Sequence, residues 1–392
     1  MKLQLTKDKT IDVRLPFGGG GTVPSDVVGI ELGADDPRGC PAVRLVRRKG
    51  RIQVYAAGFV KPPEGHLPGS WEELGKQSAW SLPVDFQAPS AAIAASSKDM
   101  FLRQTTPDML TADAKAAPKP AAENGRRKLM LKTAKPVVEA QPAEKTEDKP
   151  AEPVVPGVPV SHNGMRFAVQ PMSDETFVVE SGMPEYQVLW LSRLLPEGRR
   201  PTAVSVQTLP SALLSSVLRQ PAFLEENGNA FVVFVTRGSV FFAGFREGRL
   251  LLLRECPGAH GWVAVREAVK AGLGLDDSMV DEVLNDQLID PTSVMELFVR
   301  PMLQQLEISL DYLARRHSLN ISRALLLGLP SGALYWSKMA MDALRIPLVA
   351  PGAFEGLEPP ARGERFAPQD DMQSQLFVGA LGAALAAMEV KE

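Results

Sequence analysis

Three short stretches combine residue types and spacing that could do chemistry. Glu31, Asp35 and Asp36 surround a turn whose middle reads Leu32-Gly33-Ala34. Carboxylates grouped like this can accept a proton or hold a cation. At a second turn, Thr236-Arg237-Gly238-Ser239 offers a guanidinium, hydroxyls and bare backbone, the groups that meet an anion. The third, Gly328-Leu329-Pro330-Ser331-Gly332, follows an apolar run and lets backbone approach a ligand closely on its glycines.

The elements that must position these turns repeat. Residues Val27 to Val60 and Phe231 to Arg254 each read as strand, small-residue turn, strand, charged Gly turn, strand. A β-meander written twice predicts two similar lobes, each aiming its first hairpin turn at a shared cleft. The 392 residues are enough for two to three domains. A share of 45% hydrophobic and 23% charged residues supplies ordinary soluble cores.

Other chemistries find little support. A formal net charge of -3 gives no concentrated excess of Lys and Arg, so no nucleic-acid partner is expected. Cys40 and Cys256 with the scattered His66, His162, His260 and His317 show no metal-ligand spacing, and both thiols are expected reduced. Residues 1–15 lack the apolar stretch of a signal peptide, and no run is long enough to span a membrane; Leu376 to Met388 reads instead as a buried terminal helix.

Along the chain, residues 1–24 read as a flexible arm ending in Gly18 to Gly21, which precedes a strand and so does not fit a phosphate loop. The first lobe's large subdomain takes 25–111, with a helix expected around Ala91 to Ala95 and a further strand around Met100 to Arg103. Residues 112–162 are rich in Pro, Ala, Lys and Glu and predict a disordered insertion. Its one departure is Arg126-Arg127-Lys128-Leu129-Met130-Leu131-Lys132, read as a solvated charge run, with a docking peptide or membrane contact as the alternative. Residues 163–220 form a small strand-helix-strand subdomain, 221–375 the second lobe, and 376–392 a helix packing back on the first lobe. In the second lobe a long helix from Asp290 to Arg316 carries the stripe Leu303, Leu306, Leu310 and Leu313.

This order resembles the actin-like ATPase (ribonuclease H-like) fold, an α/β architecture, and in detail is similar to the PilM family of type IV pilus assembly proteins. The pieces that carry the resemblance are VVGIELG, FREGRLLLLRE, ISRALLLGLPSGALYWSKMAMDALRIPLVAP and FVGALGAALAAM, and it spans Val27 to Met388 apart from the insertion. It implies a nucleotide cleft made by Gly33, Ala34, Asp35, Arg237, Gly238, Ser239 and Gly328. It also implies what is missing. Where such proteins carry Asp-Ile-Gly and hydroxyls, this chain has Glu31-Leu32-Gly33 with Ala34, Asp35 and Asp36, then Phe234-Val235-Thr236 in the second turn, and Leu329 replaces one glycine of the adenosine-side pair, where it would crowd a ligand. Like charges about 4 Å apart cost about 4 kcal/mol near a protein surface, so the first turn repels a phosphate. Phosphoryl transfer needs all these parts together. The expectation is a pseudo-ATPase with no cofactor; ATP with Mg²⁺ in an active ATPase or kinase, with Glu31 or Asp35 as base, is the disfavoured alternative. The resemblance further implies a cytoplasmic scaffold at the inner face of the inner membrane, binding the N-terminal tail of a PilN-like protein between Ser90 to Leu102 and Phe167 to Leu218. Self-association is compatible with that role.

Overall fold

The computed structural model describes residues 2–6, 9–12, 24–32, 38–61, 80–96, 100–106, 160–162, 165–172, 178–195, 203–218, 229–256, 258–286, 289–358 and 371–388. Nearly all of the expected insertion, and the Gly18 to Gly21 run, lie outside them. Where an N-terminal arm was expected, β1 (Lys2–Thr6) and β2 (Lys9–Asp12) pair as an antiparallel hairpin.

The first meander is β3 (Asp26–Leu32), β4 (Cys40–Arg48) and β5 (Arg51–Val60). Next come β6 (Ser90–Ala95), β7 (Phe101–Thr105), β8 (Val160–His162), β9 (Met165–Pro171), β10 (Val178–Pro184), helix α1 (Glu185–Arg193), β11 (Ala203–Thr208) and α2 (Leu209–Leu218). The second meander is β12 (Ala230–Val235), β13 (Val240–Arg246) and β14 (Arg249–Glu255). It is followed by α3 (Trp262–Leu273), α4 (Asp277–Asn285), α5 (Thr292–His317), β15 (Ala324–Leu327), α6 (Ala333–Leu344), β16 (Leu348–Val349), α7 (Asp371–Ser374) and α8 (Val378–Ala387).

The two large sheets have the same wiring. One runs β11-β6-β3-β4-β5 and the other β16-β15-β12-β13-β14, so in each a meander is extended by two parallel strands beside its first strand. The charged Gly turns are two-residue hairpins with both residues at positive φ, Lys49-Gly50 (51° and 81°) and Glu247-Gly248 (53° and 71°). That geometry matches the twist of the strands they join. Each meander also has a register shift shortly before this turn, at Arg44/Leu45 and at Gly244/Phe245.

Two details depart from the sequence reading. Ala91 to Ala95 is not a helix but the buried strand β6, parallel to both β3 and β11. Alanine favours helix intrinsically, yet here small side chains suit a strand covered on both faces, and the tertiary setting overrides the propensity. The sheets also exchange strands across the expected subdomain limits. β7 pairs with β10 in a small sheet, β7-β10-β9-β8, while β11 joins the first large sheet beside β6.

Three apolar clusters hold the molecule together. Val28, Ile30, Leu32, Trp80 and Val188 pack on the outer face of the first sheet. Phe231, Val233, Phe242, Val269, Leu306 and Trp336 join the second sheet to α3, α4, α5 and α6. The third cluster links the lobes: Val27, Val43 and Ala92 of the first sheet, Leu213 of α2, Leu381 and Ala384 of α8, and Val232, Phe234 and Leu327 of the second sheet form one contiguous set. A core bridges the two sheets.

Candidate functional site

Between the lobes, at the strand ends, lies a cavity of about 30 Å³ lined by Glu31, Phe234, Thr236, Arg237, Gly328, Gln375 and Gly379 among others. A small-molecule site needs roughly 300 Å³ or more, whereas this volume suits water alone.

Glu31 stands next to last in β3, and its side chain shares a sheet face with Val27 and Gly29. That face is covered by α8, which approaches so closely that a β-carbon on Gly29 would collide with the Ala380 carbonyl oxygen. Gly379, in the first turn of α8, likewise leaves room for the Glu31 carboxyl, against which any β-carbon would clash. The Gly379 N–H donates to that carboxyl. It is one of the helix's first N–H groups, which have no partner inside the helix. Burial pushes the Glu31 pKa up to about 7; the Arg237 charge and the Gly379 hydrogen bond pull it down, but by less. The cleft therefore holds an anion-accepting helix end and a guanidinium, and the anion facing them is the protein's own carboxyl.

The second turn is closed on itself. Thr236 Oγ1 donates to the Ser239 carbonyl at 2.9 Å and accepts from the Ser239 N–H at 3.0 Å, and the two hydroxyls lie 3.1 Å apart. The turn's carbonyls engage α3: Trp262 N–H donates to Thr236 O at 3.0 Å and Val263 N–H to Arg237 O at 3.3 Å. A β-carbon at Gly261 would collide with that Arg237 oxygen. The Arg237 guanidinium lies 4.9 Å over the Trp262 ring. In this turn the hydroxyls, the first two amides of α3 and the cation are thus engaged by protein atoms.

At the third turn Gly328 has φ +85°, and a β-carbon there would sit 2.6 Å from Val235 O. Its N–H donates to Gln375 Oε1 at 2.7 Å, and Gln375 Nε2 donates to the Pro351 carbonyl. Gln375 is 1% exposed. Leu329, expected to crowd a ligand, instead packs in the second lobe's core and does not line the cavity.

Of the sequence candidates, Glu31, Arg237 and Gly328 meet at the cavity. Gly238 and Ser239 do not line it, and Gly33, Ala34 and Asp35 lie outside the described residues. Gln375 and Gly379 were missed. A lone glutamine ahead of an apolar helix carries no signal of its own, although the Gly-rich start of that helix hinted at close packing. Cys40 and Cys256 are buried and form no disulfide, and burial pushes the Cys256 thiol up to about 12, far from a nucleophile's range. Among the described residues, no group of His, Cys, Asp and Glu could hold a metal ion, and no helix is long and apolar enough to cross a membrane.

The sequence matches no protein-family model and no curated protein. In solved structures the chain is similar to a chain of a PilM–PilN type IV pilus biogenesis complex, with 16% identity over 93% of this chain and 99% of that one and a TM-score of 0.58. Weaker likenesses are a protein with actin-like ATPase fold from Bacteroides thetaiotaomicron (10% identity, 90% and 96% coverage, TM-score 0.39) and the cytoplasmic domain of EpsL from Vibrio cholerae, an inner-membrane component of the type II secretion system (11%, 91% and 95%, TM-score 0.31). The chain has the fold of the PilM–PilN structure, and its duplicated sheets give it the α/β, actin-like architecture that the resemblance implied.

Proposed function

We propose that this chain is a cytoplasmic scaffold of a type IV pilus or related secretion assembly platform, docking the cytoplasmic tail of a PilN-like inner-membrane protein, with a cleft that no longer takes a nucleotide. The observation that carries this reading is the self-occupied cleft: Glu31 faces Arg237 and the start of α8, and Gln375 holds the Gly328 amide. A nucleotide would have to displace both and would bring its negative charge to the Glu31 carboxylate. The likeness to a PilM–PilN complex supports the assembly role.

The tail would lie between the β6–β7 region and the segment running from β9 to α2. Capture along a sheet edge or in an apolar groove is the physical mode. A pull-down with synthetic N-terminal tails of neighbouring envelope proteins tests it: one tail should be retained, and retention of none by folded protein would count heavily against the scaffold.

An active ATPase or kinase is the competing reading. Its one supporting feature is Glu31, whose pKa of about 7 is that of a general base. Titration with labelled ATP and Mg²⁺ separates the two. No saturable binding is expected, and micromolar affinity with hydrolysis would sink the pseudo-ATPase.

A further inference from the structure

An open concavity of about 500 Å³ lies away from the interlobe cavity, on the outer side of the second lobe between α5 and α6. Its apolar floor includes Leu303 and Met339, and its walls carry Glu296, Arg300, Glu307 and Asp342. Arg300 donates to Glu296 at 2.7 Å, so that pair is neutral. Glu307 and Asp342 make no hydrogen bond or ion pair among the described residues, which leaves an apolar trough edged by two unpaired carboxylates. Such a trough favours a short segment mixing cations with long apolar side chains and rejects acidic ones.

The sequence contains a segment of that composition. Arg126-Arg127-Lys128-Leu129-Met130-Leu131-Lys132 sets four cations around three apolar residues, inside a stretch otherwise rich in Pro, Ala, Glu and Lys. Residue 126 follows the described residue 106 by 20 positions, and residue 132 precedes residue 160 by 28. At about 3.3 Å per residue those lengths reach about 65 and 90 Å, well beyond the ~21 Å radius of gyration of a folded chain this long. Either lobe is within range. A tethered segment also acts at an effective concentration near the millimolar scale, so weak contacts suffice.

We propose that the α5–α6 groove is the docking site of the chain's own Arg126 to Lys132 segment, with its cations on Glu307 and Asp342 and its Leu and Met side chains on the floor. The site holds the insertion against the second lobe, on a surface separate from the nucleotide-type cleft and from the region assigned to a partner's tail.

The test uses the full chain and a form carrying Arg126→Glu, Arg127→Glu, Lys128→Glu and Lys132→Glu together. Charge reversal should raise hydrogen–deuterium exchange in segments covering 296–307 and 339–344, and high salt should do the same to the parent. A labelled synthetic peptide of residues 124–134, added to the reversed chain, should bind, and Glu307→Lys with Asp342→Lys should weaken it about tenfold. Both acidic residues are exposed, so these substitutions leave the fold intact. Unchanged exchange on reversal, or peptide binding indifferent to the groove substitutions, overturns the proposal. A dimer that falls apart on reversal would put the segment in a second copy and overturn the intrachain assignment.

Discussion

The two meanders share strand order, hairpin turns and register shifts, yet they bury their first strands in different ways. In the second lobe β12 is apolar throughout, and the helices that cover its outer face follow its meander in sequence. In the first lobe β3 places Gly29 and Glu31 where β12 has Val232 and Phe234, and the helix on that face, α8, comes from the far end of the chain. The second lobe carries its own helical layer. On its inner face the first lobe is completed, beside its own α2, by a late segment fitted through glycines and anchored by the Glu31 carboxyl.

The sharpest way to break this comparison is to add one methyl group to each sheet. A β-carbon on Gly29 meets the Ala380 carbonyl and lies 2.9 Å from Ala384 N, backbone atoms that cannot give way without lifting α8. On Gly244 of β13 it meets Leu313 Cδ1 at 2.8 Å, the movable end of a side chain. Gly29→Ala should cost about 4 kcal/mol or more and Gly244→Ala about 1 kcal/mol. Urea unfolding of both variants checks this. Equal losses would mean that α8 covers the first lobe no more tightly than the second lobe covers itself.

Glu31 sharpens the same contrast through pH. Its folded pKa of about 7 lies above the ordinary 4.5, so the folded state binds the proton more tightly. The stability this gives is complete below about pH 4.5 and is lost as pH rises through 7. The full loss is about 3 kcal/mol, from a shift of that size at 1.36 kcal/mol per pKa unit. Glu31→Gln keeps an acceptor for Gly379 N–H and cannot ionise. It should flatten the pH dependence between 5 and 8 and leave the variant more stable than the parent above pH 7. Parallel pH profiles for the two proteins would remove the buried acid from the account.

Much of this is legible in the sequence. The Lys49-Gly50 and Glu247-Gly248 turns and the apolar runs around them set out both meanders, because a two-residue hairpin and its strands are encoded by neighbouring residues. The helix α5 was legible for the same reason, through its apolar stripe Leu303, Leu306, Leu310 and Leu313. The state of the site was not. That the Glu31 carboxyl is desolvated depends on Gly379, and that Gly328 has a polar partner depends on Gln375, both at the other end of the chain. No local pattern reports such meetings. β6 was misread because its Ala-rich sequence favours helix when isolated and strand when enclosed.

Gln375 offers a smaller test of whether the cleft is held shut by polar contacts as well as by packing. It is buried and joins Gly328 N–H to the Pro351 carbonyl, tying the end of β15 to the chain just after β16. Gln375→Leu keeps much of the volume but strands a donor and an acceptor. The expected loss is about 2 kcal/mol. Thermal melts should show it, together with faster amide exchange at Gly328. A neutral result would indicate that water takes over both bonds and that the cavity is wetter than its volume implies.

The smallest effect should come from the second turn. Thr236 Oγ1 serves Ser239 as both donor and acceptor, and the Thr236 carbonyl still receives Trp262 N–H whatever the side chain is. Thr236→Val therefore removes the hydroxyl's bonds while retaining the backbone bond from α3, and the half-buried site lets water substitute in part. A loss of about 1 kcal/mol is expected in urea unfolding. A loss as large as that for Gly29→Ala would overturn the comparison itself: the second lobe would then depend on its turn as strongly as the first depends on α8. A loss near 1 kcal/mol would leave the turn as a closed hairpin end whose hydroxyls satisfy their own backbone.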